Sequence, residues 1–140
     1  MTAETRADGP AGARDLRAEL RERVWAIDDR LFMMVEVPVQ TPYTLDVLFD
    51  RLEELAVGLD RFAYVIDLTG VTRPDAPVRV KLRYRISQLS PRLVHVGVVI
   101  GGNPVIRAVA KLAAFATGFR EFSFHVSADE ALEACRRALR

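Results

Sequence analysis

Residues 62–78, FAYVIDLTGVTRPDAPV, combine the features that decide the fold. The stretch opens with an apolar run through Leu68 that does not alternate polar with apolar residues, which is typical of a strand buried on both faces of a mostly parallel sheet. A polar loop follows, and Asp75 and Pro77 then supply a helix start. The stretch therefore predicts a central strand, a loop and a capped helix.

Two patterns compete in the segment that follows Asp75. VRVKLRYRI alternates with the period of two that a strand requires. A helical stripe at i, i+4, i+8, i+11 and i+15 runs through the same segment, formed by Val78, Leu82, Ile86, Leu89 and Leu93. We favour the helix, because Asp75 and Pro77 mark its start and Pro91 its end.

Towards the C-terminus, residues 94–100 form a second run of the kind expected for a buried strand. Gly101 and Gly102 end it, Asn103 can cap the next helix, and Pro104 suits the first helical position. That helix is closed by Gly118. Further on, Phe122, Phe124 and Val126 alternate with Ser123 and His125 as a half-exposed edge strand, and Ser127 with Glu130 forms a capping box for the last helix.

Towards the N-terminus, residues 24–27 and 31–37 are strand-like runs separated by turn-forming residues, which predicts a hairpin. A helix capped by Thr44 follows and stops at Gly58. For residues 15–23 the sequence does not decide between a short helix and a segment that leads into the first strand. The predicted architecture is α/β, a single domain over 15–140 with a mixed, mostly parallel sheet of four to five strands in the order β-β-α-β-α-β-α-β-α, preceded by a flexible tail over 1–14.

Composition restricts the classes of function. The chain has 140 residues, half of them hydrophobic, and a formal charge of +1, so overall charge gives no case for nucleic acid as a partner. The single cysteine, Cys135, cannot form an internal disulfide, which fits a cytoplasmic location. We find no run that predicts a membrane span, so we do not expect an integral membrane protein.

The stretch VIDLTGVTRPDAP resembles the central motif of the STAS domains, in which a strand ending Asp-Leu-Ser-x-Val is followed by Asp-Ser-Ser-Gly and a helix. VHVGVVIGGNPVIRAVAKLAAF and ADEALEACRRAL are similar to later parts of the same family. The similarity spans residues 24–139, and the SpoIIAA-like group, described as STAS/SEC14-like, is nearest. The resemblance implies the SpoIIAA-like/STAS fold and a regulatory, anti-sigma-factor-antagonist type of function acting through protein contacts.

The resemblance fails at the residue that carries the family's switch. Where the family has Asp-Ser-Ser-Gly, this chain has Asp75, Ala76, Pro77 and Val78, so the phosphorylatable serine is missing. Thr69 and Thr72 remain nearby, and we expect Thr69 to form a hydrogen bond within the loop rather than to be modified. We expect the signature loop, with Asp67, Thr69, Thr72 and Asp75, together with Tyr84 on the following helix, to contact a partner.

A second candidate site lies after the other buried strand. Right-handed crossovers place the loops after Leu68 and Ile100 on one edge of the sheet, where open α/β sheets bind ligands. Helix N-termini and cationic side chains bind anions, so we expect the loop after Ile100 and the helix that follows it to form an anion or ligand site. Its residues are Gly101, Gly102, Asn103, Arg107 and Lys111.

The remaining reactive side chains predict no catalysis. Asp67 and Asp75 could act as an acid/base pair, but strand-end and capping roles account for both. His95 and His125 lack a partner at metal-ligand spacing, and Cys135 belongs to the apolar stripe of the last helix, so we expect no metal and no cofactor. The basic residues of 79–92 scatter around a helix, which disfavours a nucleic-acid stripe.

Two functions therefore follow from the sequence. The first is a non-enzymatic regulatory domain that binds a protein partner, or a second copy as a homodimer. The alternative is a SEC14-like carrier for a small anionic molecule or lipid, using the loops after Leu68 and Ile100 and the apolar helix over 105–115.

Overall fold

The computed structural model describes residues 10–72 and 74–140, with side chains from Asp15 onward. Its helices and strands follow one another along the chain as α1 (Pro10–Arg21), β1 (Val24–Asp28), β2 (Leu31–Val35), α2 (Pro42–Leu55), β3 (Phe62–Asp67), α3 (Ala76–Leu89), β4 (Leu93–Val99), α4 (Pro104–Ala116), β5 (Phe122–His125) and α5 (Ala128–Leu139). The predicted α/β class and single domain agree with this arrangement.

The five strands form one mixed sheet in the order β1-β2-β3-β4-β5. β1 and β2 pair antiparallel as the predicted hairpin. The other three pairings are parallel. β3 lies at the centre of the sheet and β5 at one edge, as the patterns of residues 62–68 and 122–126 predict.

The two faces of the sheet carry separate cores, because side chains alternate along each strand. Phe32, Tyr64 and Val96 point to the face that α1, α2 and α3 cover. Met33 and Val65 point to the opposite face, where α5 packs through Ala131. Ala110 of α4 packs against the first core as well, and among the described residues α5 is the only helix that contributes to the second.

Local hydrogen bonds fix where most helices begin. Asp75 caps α3 by accepting a hydrogen bond from the Val78 N–H, and Asn103 caps α4, as predicted. Ser127 caps α5 by accepting from the Glu130 N–H. Residues 76–89 are a helix, so the helical stripe wins over the strand alternation.

Several predicted strand boundaries differ from the structure by one residue, and three predicted boundaries differ by more. The cap of α2 is Thr41 rather than Thr44, because Pro42 fits the first helical turn and the Thr41 and Thr44 side chains bond reciprocally to each other's backbone N–H groups. Leu93 belongs to β4, since α3 ends at Leu89. β2 ends at Val35, two residues short of the prediction.

The N-terminal prediction is tested only in part. The tail expected over 1–14 lies outside the described residues as far as residue 9, and α1 begins at Pro10, ahead of the predicted start of the domain. The question left open over 15–23 is settled in favour of a helix that runs to Arg21. Leu20 of this helix is buried against the core, which anchors α1 to the α2 side of the sheet.

Candidate functional site

The loops after β3 and β4 lie side by side at the carboxyl edge of the sheet. The Leu68 N–H donates to the Val99 carbonyl, and a Cβ added at Gly101 would lie 3.5 Å from the Thr69 side chain. Gly101 has a φ of +60°, a conformation that glycine adopts without strain. The structure thus brings together the two predicted site loops.

The polar residues predicted for the first site, Asp67, Thr69, Thr72 and Asp75, are used within the fold. The Asp67 carboxylate accepts hydrogen bonds from the backbone N–H and the hydroxyl of Thr69. The Thr72 hydroxyl donates to the Pro38 carbonyl at 3.0 Å, and Asp75 caps α3. Thr69 therefore forms the loop hydrogen bond expected of it, and its role in contacting a partner stays a prediction.

In the second loop, the helix N–H groups that could bind an anion are already hydrogen-bonded to a side chain of the loop. The Asn103 side-chain oxygen accepts from the N–H groups of Val105 at 2.9 Å and Ile106 at 3.4 Å. The Lys111 ammonium lies 5.7 Å from the centre of the Phe124 ring, so it leans towards β5 rather than the loop. Gly101, Gly102 and Arg107 lie at or near the start of the helix, but the first free N–H groups already have an acceptor.

A cavity of about 60 Å³ lies beneath α4, between that helix, α3 and the sheet. Its wall is mostly apolar. The sheet contributes Tyr64, Ile66, Val96, Val98 and Phe122; α3 contributes Leu82 and Ile86; α4 and its C-cap contribute Ile106, Val109, Ala110, Ala113, Ala114 and Thr117; the connecting segments contribute Gln40, Leu68, Val71, Thr72 and Pro74. We call this space the α4 cavity.

The helix that roofs the cavity is unusual among the five. In α4 only Ala114 is fully buried, although the segment PVIRAVAKLAAFA is apolar at nearly every position. Its main neighbour is α3 rather than the sheet. Leu112 and Phe115 remain 70 % and 80 % exposed. The apolar character of α4 is thus far greater than its packing within this chain requires.

Two polar side chains are buried on the cavity face of the sheet, and their terminal oxygens form no hydrogen bond of ordinary geometry with the described residues. The Tyr64 hydroxyl and both carboxylate oxygens of Glu36 are enclosed in this way. Burial raises the pKa of Glu36 to about 7, against the opposing effects of Gln40, the Val37 backbone and Arg23. Burial, with the Glu36 charge adding to it, raises the pKa of Tyr64 well above its ordinary value. Buried polar groups without a partner are costly to the folded state, and each calls for a physical explanation.

Most basic residues of α3 and the following turn have partners that remove them from a nucleic-acid surface. The Arg85 guanidinium is buried and bonds to Asp46, Asp50 and Glu53 of α2. Lys81 pairs with Asp46 at 3.1 Å. Arg92 donates to the carbonyls of α2's C-terminal turn, at Ala56 and Leu59.

A polar cluster that the sequence analysis missed lies on the α5 face. The Ser123 hydroxyl lies 2.8 Å from His95 Nε2 and 2.6 Å from His125 Nε2. A hydroxyl has one proton to donate, so one imidazole accepts it and the other donates. Burial lowers the pKa of His95. Glu130 is 3.9 Å from His125 Nδ1, too far for the hydrogen bond by which a carboxylate orients the histidine of a catalytic triad.

The remaining reactive group is Cys135, which is buried in α5. Burial raises the pKa of its thiol to about 11. Among residues 10–72 and 74–140, no group of three or more His, Cys, Asp or Glu side chains is arranged to hold a metal ion. Within the same residues, no helix has the length and apolar content needed to cross a bilayer.

In comparisons with known proteins, no family model, no curated protein and no solved structure matches the chain. The site must therefore be interpreted from its own geometry.

Tyr84 is 57 % exposed on α3 and accepts a hydrogen bond from Gln88, away from the cavity. The sequence predicted that the two loops share one edge of the sheet, but it missed the cavity, the buried Glu36 and the Ser123 cluster.

Proposed function

We propose that the chain is a non-catalytic binding protein whose α4 cavity holds the apolar part of a small amphiphilic molecule, such as a lipid acyl chain. The observation that carries this proposal is a nearly all-apolar helix that roofs an apolar cavity while burying only one of its residues. Ligand sites are typically concave and apolar with a few polar groups, which fits this combination.

The dimensions of the cavity indicate how a ligand would enter. A space of about 60 Å³ accommodates roughly four water-sized groups. A longer chain therefore needs α4 to move outward. Few buried side chains hold α4 in place, so the displacement costs less than moving α2, which buries five residues, among them Leu48 and Phe49.

The polar groups at the cavity suggest the chemistry of the ligand. Tyr64 lines the cavity and its buried hydroxyl lacks a partner, and Gln40 and Thr72 belong to the same wall. A ligand that carries one hydrogen-bonding group next to an apolar chain would satisfy the hydroxyl, whereas a hydrocarbon would leave it unpaired.

The experiment uses dansyl-labelled undecanoic acid, whose fluorescence rises on entering an apolar site. We expect saturable binding to the wild-type protein and at least about a tenfold loss with Ala110→Phe, which fills the cavity. Ala108→Phe is the matched control, because Ala108 is exposed on the same helix and does not line the cavity. Mass spectrometry of organic extracts would identify a lipid retained during purification.

Either of two results would contradict the proposal. The first is no saturable fluorescence change with the wild-type protein. The second is equal binding by the Ala110→Phe and Ala108→Phe variants, which would place the probe on the outer surface of α4. Circular dichroism of both variants checks that the fold is retained.

The resemblance to STAS/SEC14-like domains supports the proposal. In this chain, as in the family motif, a strand ending in Asp67 leads through a loop to a helix capped by Asp75. We propose the SpoIIAA-like/STAS fold on that basis, with a regulatory, cytoplasmic role in which ligand occupancy takes the place of the absent phosphorylation switch.

A second candidate function is recognition of a protein partner through α3. Val80 and Tyr84 are each more than half exposed, and they border a shallow depression with Pro42 and Pro77. Exposed aromatic side chains beside small apolar ones are typical of contact surfaces. We expect Tyr84→Asp to keep the fold and abolish a pull-down interaction that Val57→Asp, also at an exposed apolar residue, preserves. An interaction retained by Tyr84→Asp would contradict this function.

A further inference from the structure

The outer surface of α4 is an apolar stripe that the cavity does not explain. Val105, Ala108, Leu112 and Phe115 recur at i, i+3, i+7 and i+10, so they share one face of the helix. All four are exposed, three of them by 60 % or more. Ile106, Ala110 and Ala113, which line the cavity, are on the other side.

A helix that is apolar on both faces is normally covered on both. α4 has 13 residues, whereas a span of the bilayer requires about 20. A helix of this length with an exposed apolar face suits the plane of a membrane interface, where the apolar side chains enter the boundary between headgroups and acyl chains.

Charge identifies the kind of surface. α3 and α4 together carry six lysines and arginines and no acidic residue. Two of the six, Lys81 and Arg85, are neutralised by carboxylates of α2. In the described part of the chain, the other four form no ion pair; they are Arg79, Arg83, Arg107 and Lys111.

These four cations lie on both sides of the apolar stripe. Arg79 and Arg83 border a groove between α3 and α4, together with Leu112. Arg107 and Lys111 are four residues apart along the opposite flank of α4, next to Phe115. The stripe is thus flanked by positive charge, although the whole chain has a formal charge of only +1.

We propose that this face, the α3–α4 surface, docks on an anionic lipid bilayer. Exposed leucine and phenylalanine would insert at the interface while the flanking cations contact acidic headgroups. A second copy fits less well, because a two-fold contact through this face would bring like charges together. The proposal concerns the outer face of α4, so it holds or fails independently of ligand binding in the cavity.

The test is co-sedimentation with vesicles of phosphatidylcholine alone and with phosphatidylglycerol added, at low and high salt. We expect the wild-type protein to bind the anionic vesicles and to be released by salt. Arg79→Glu with Arg83→Glu should weaken binding at least about tenfold, since each cation near an anionic surface contributes about 1 kcal/mol, or about fivefold. Leu112→Ser with Phe115→Ser should weaken it about tenfold or more.

Matched controls separate this surface from general charge and hydrophobicity. Arg136→Glu alters an exposed arginine on α5, across the sheet, and Val57→Ser removes an exposed valine after α2. Both variants should bind vesicles like the wild type. Circular dichroism and urea unfolding show that each variant is folded.

Three outcomes would overturn the proposal. One is no sedimentation of the wild type with anionic vesicles at low salt. Another is equal loss of binding in the controls and in the α3–α4 variants. The third is a dimer, seen by light scattering, that Phe115→Glu dissociates, because a second copy or a protein would then cover the surface. Vesicle binding by a protein that does not bind the fatty-acid probe would support docking and leave the cavity proposal refuted.

Discussion

α4 and α5 have nearly the same length, follow neighbouring strands and begin with a side-chain cap, yet they pack in opposite ways. α5 buries Ala131, Ala134, Cys135 and Leu139 and leaves its charged residues in solvent. α4 buries Ala114 alone and exposes Leu112 and Phe115. An amphipathic helix completes a core, whereas a helix that is apolar on two faces and lightly packed is available for other contacts.

The same contrast extends to the two faces of the sheet. On the α5 face, the backbone of β4 approaches the helix closely, so a Cβ at position 97 would be tight against Ala131. On the other face lie the α4 cavity and the unpartnered oxygens of Glu36 and Tyr64. The cavity and these unpartnered oxygens are therefore local defects within the larger of the two cores.

The largest effect is expected where α5 meets β4. A Cβ at Gly97 would lie 3.0 Å from the Ala131 carbonyl oxygen and 3.1 Å from its Cβ, so the branched side chain of Gly97→Val overpacks the contact between α5 and β4. We expect a loss of about 3 kcal/mol in the free energy of unfolding, measured in urea. Gly70→Val, at a site with no atom within 4 Å, is the control. Equal losses in the two variants would remove the contrast between the faces.

Glu36 provides the next largest effect, through pH. Its pKa is raised from 4.5 to about 7, so the folded protein binds the proton more tightly than the unfolded chain. The stabilisation is therefore complete below pH 4.5 and is lost as the pH rises through 7. We expect the free energy of unfolding of the wild type to fall by up to about 3 kcal/mol between pH 5 and pH 8 because of Glu36, and this fall to be absent in Glu36→Gln.

The measurement for Glu36 is urea unfolding at several pH values. Glu19→Gln, which changes an exposed carboxylate on α1, should retain the wild-type pH profile. Effects of His95 are common to all three proteins and cancel in the comparison. A Glu36→Gln variant with the same pH profile as the wild type would show that this carboxyl group is not held in its neutral form.

The smallest effect compares the helix caps directly. Ser127→Ala should lower the free energy of unfolding by about 1 kcal/mol, because α5 unfolds with the core. Asn103→Ala should change global stability by less than about 0.5 kcal/mol, because α4 opens locally. Hydrogen exchange should then be faster for α4 amides than for α5 amides, and faster still in the Asn103 variant. Slow exchange in α4 equal to that in α5 would contradict a lightly held helix.

The sequence predicted those features that depend on neighbouring residues. Asp75, Asn103 and Ser127 were identified as caps because a cap needs only its own side chain and the next few N–H groups. The central strands were predicted because a strand buried on both faces is apolar throughout. The cap of α2 was misplaced because Thr41 and Thr44 are both suitable capping residues. Proline is favoured at the first helical position, so Pro42 indicates that the cap is the residue before it, Thr41.

The features that the sequence did not predict depend on distant segments. The Ser123 cluster requires the register that sets Ser123 beside Gly97 on the neighbouring strand. The α4 cavity results from the distance between a helix and the sheet, which no local pattern encodes. Arg85 is a partial exception, since acids at 46, 50 and 53 recur at i, i+4 and i+7 on α2 and signal a cationic partner.

Two glycines with positive φ flank α4: Gly101, at +60°, precedes the Asn103 cap by two residues, and Gly118, at +80°, follows the Thr117 C-cap. The three ion pairs of Arg85 fasten α3 to α2, so those two helices form a fixed frame. α4 can therefore move as a unit relative to α2 and α3. A glycine with wide backbone freedom lies near each of its ends, whereas α2 and α3 are held together by ion pairs. A motion that admits a molecule from the bilayer side would turn about these two points and leave the sheet undisturbed.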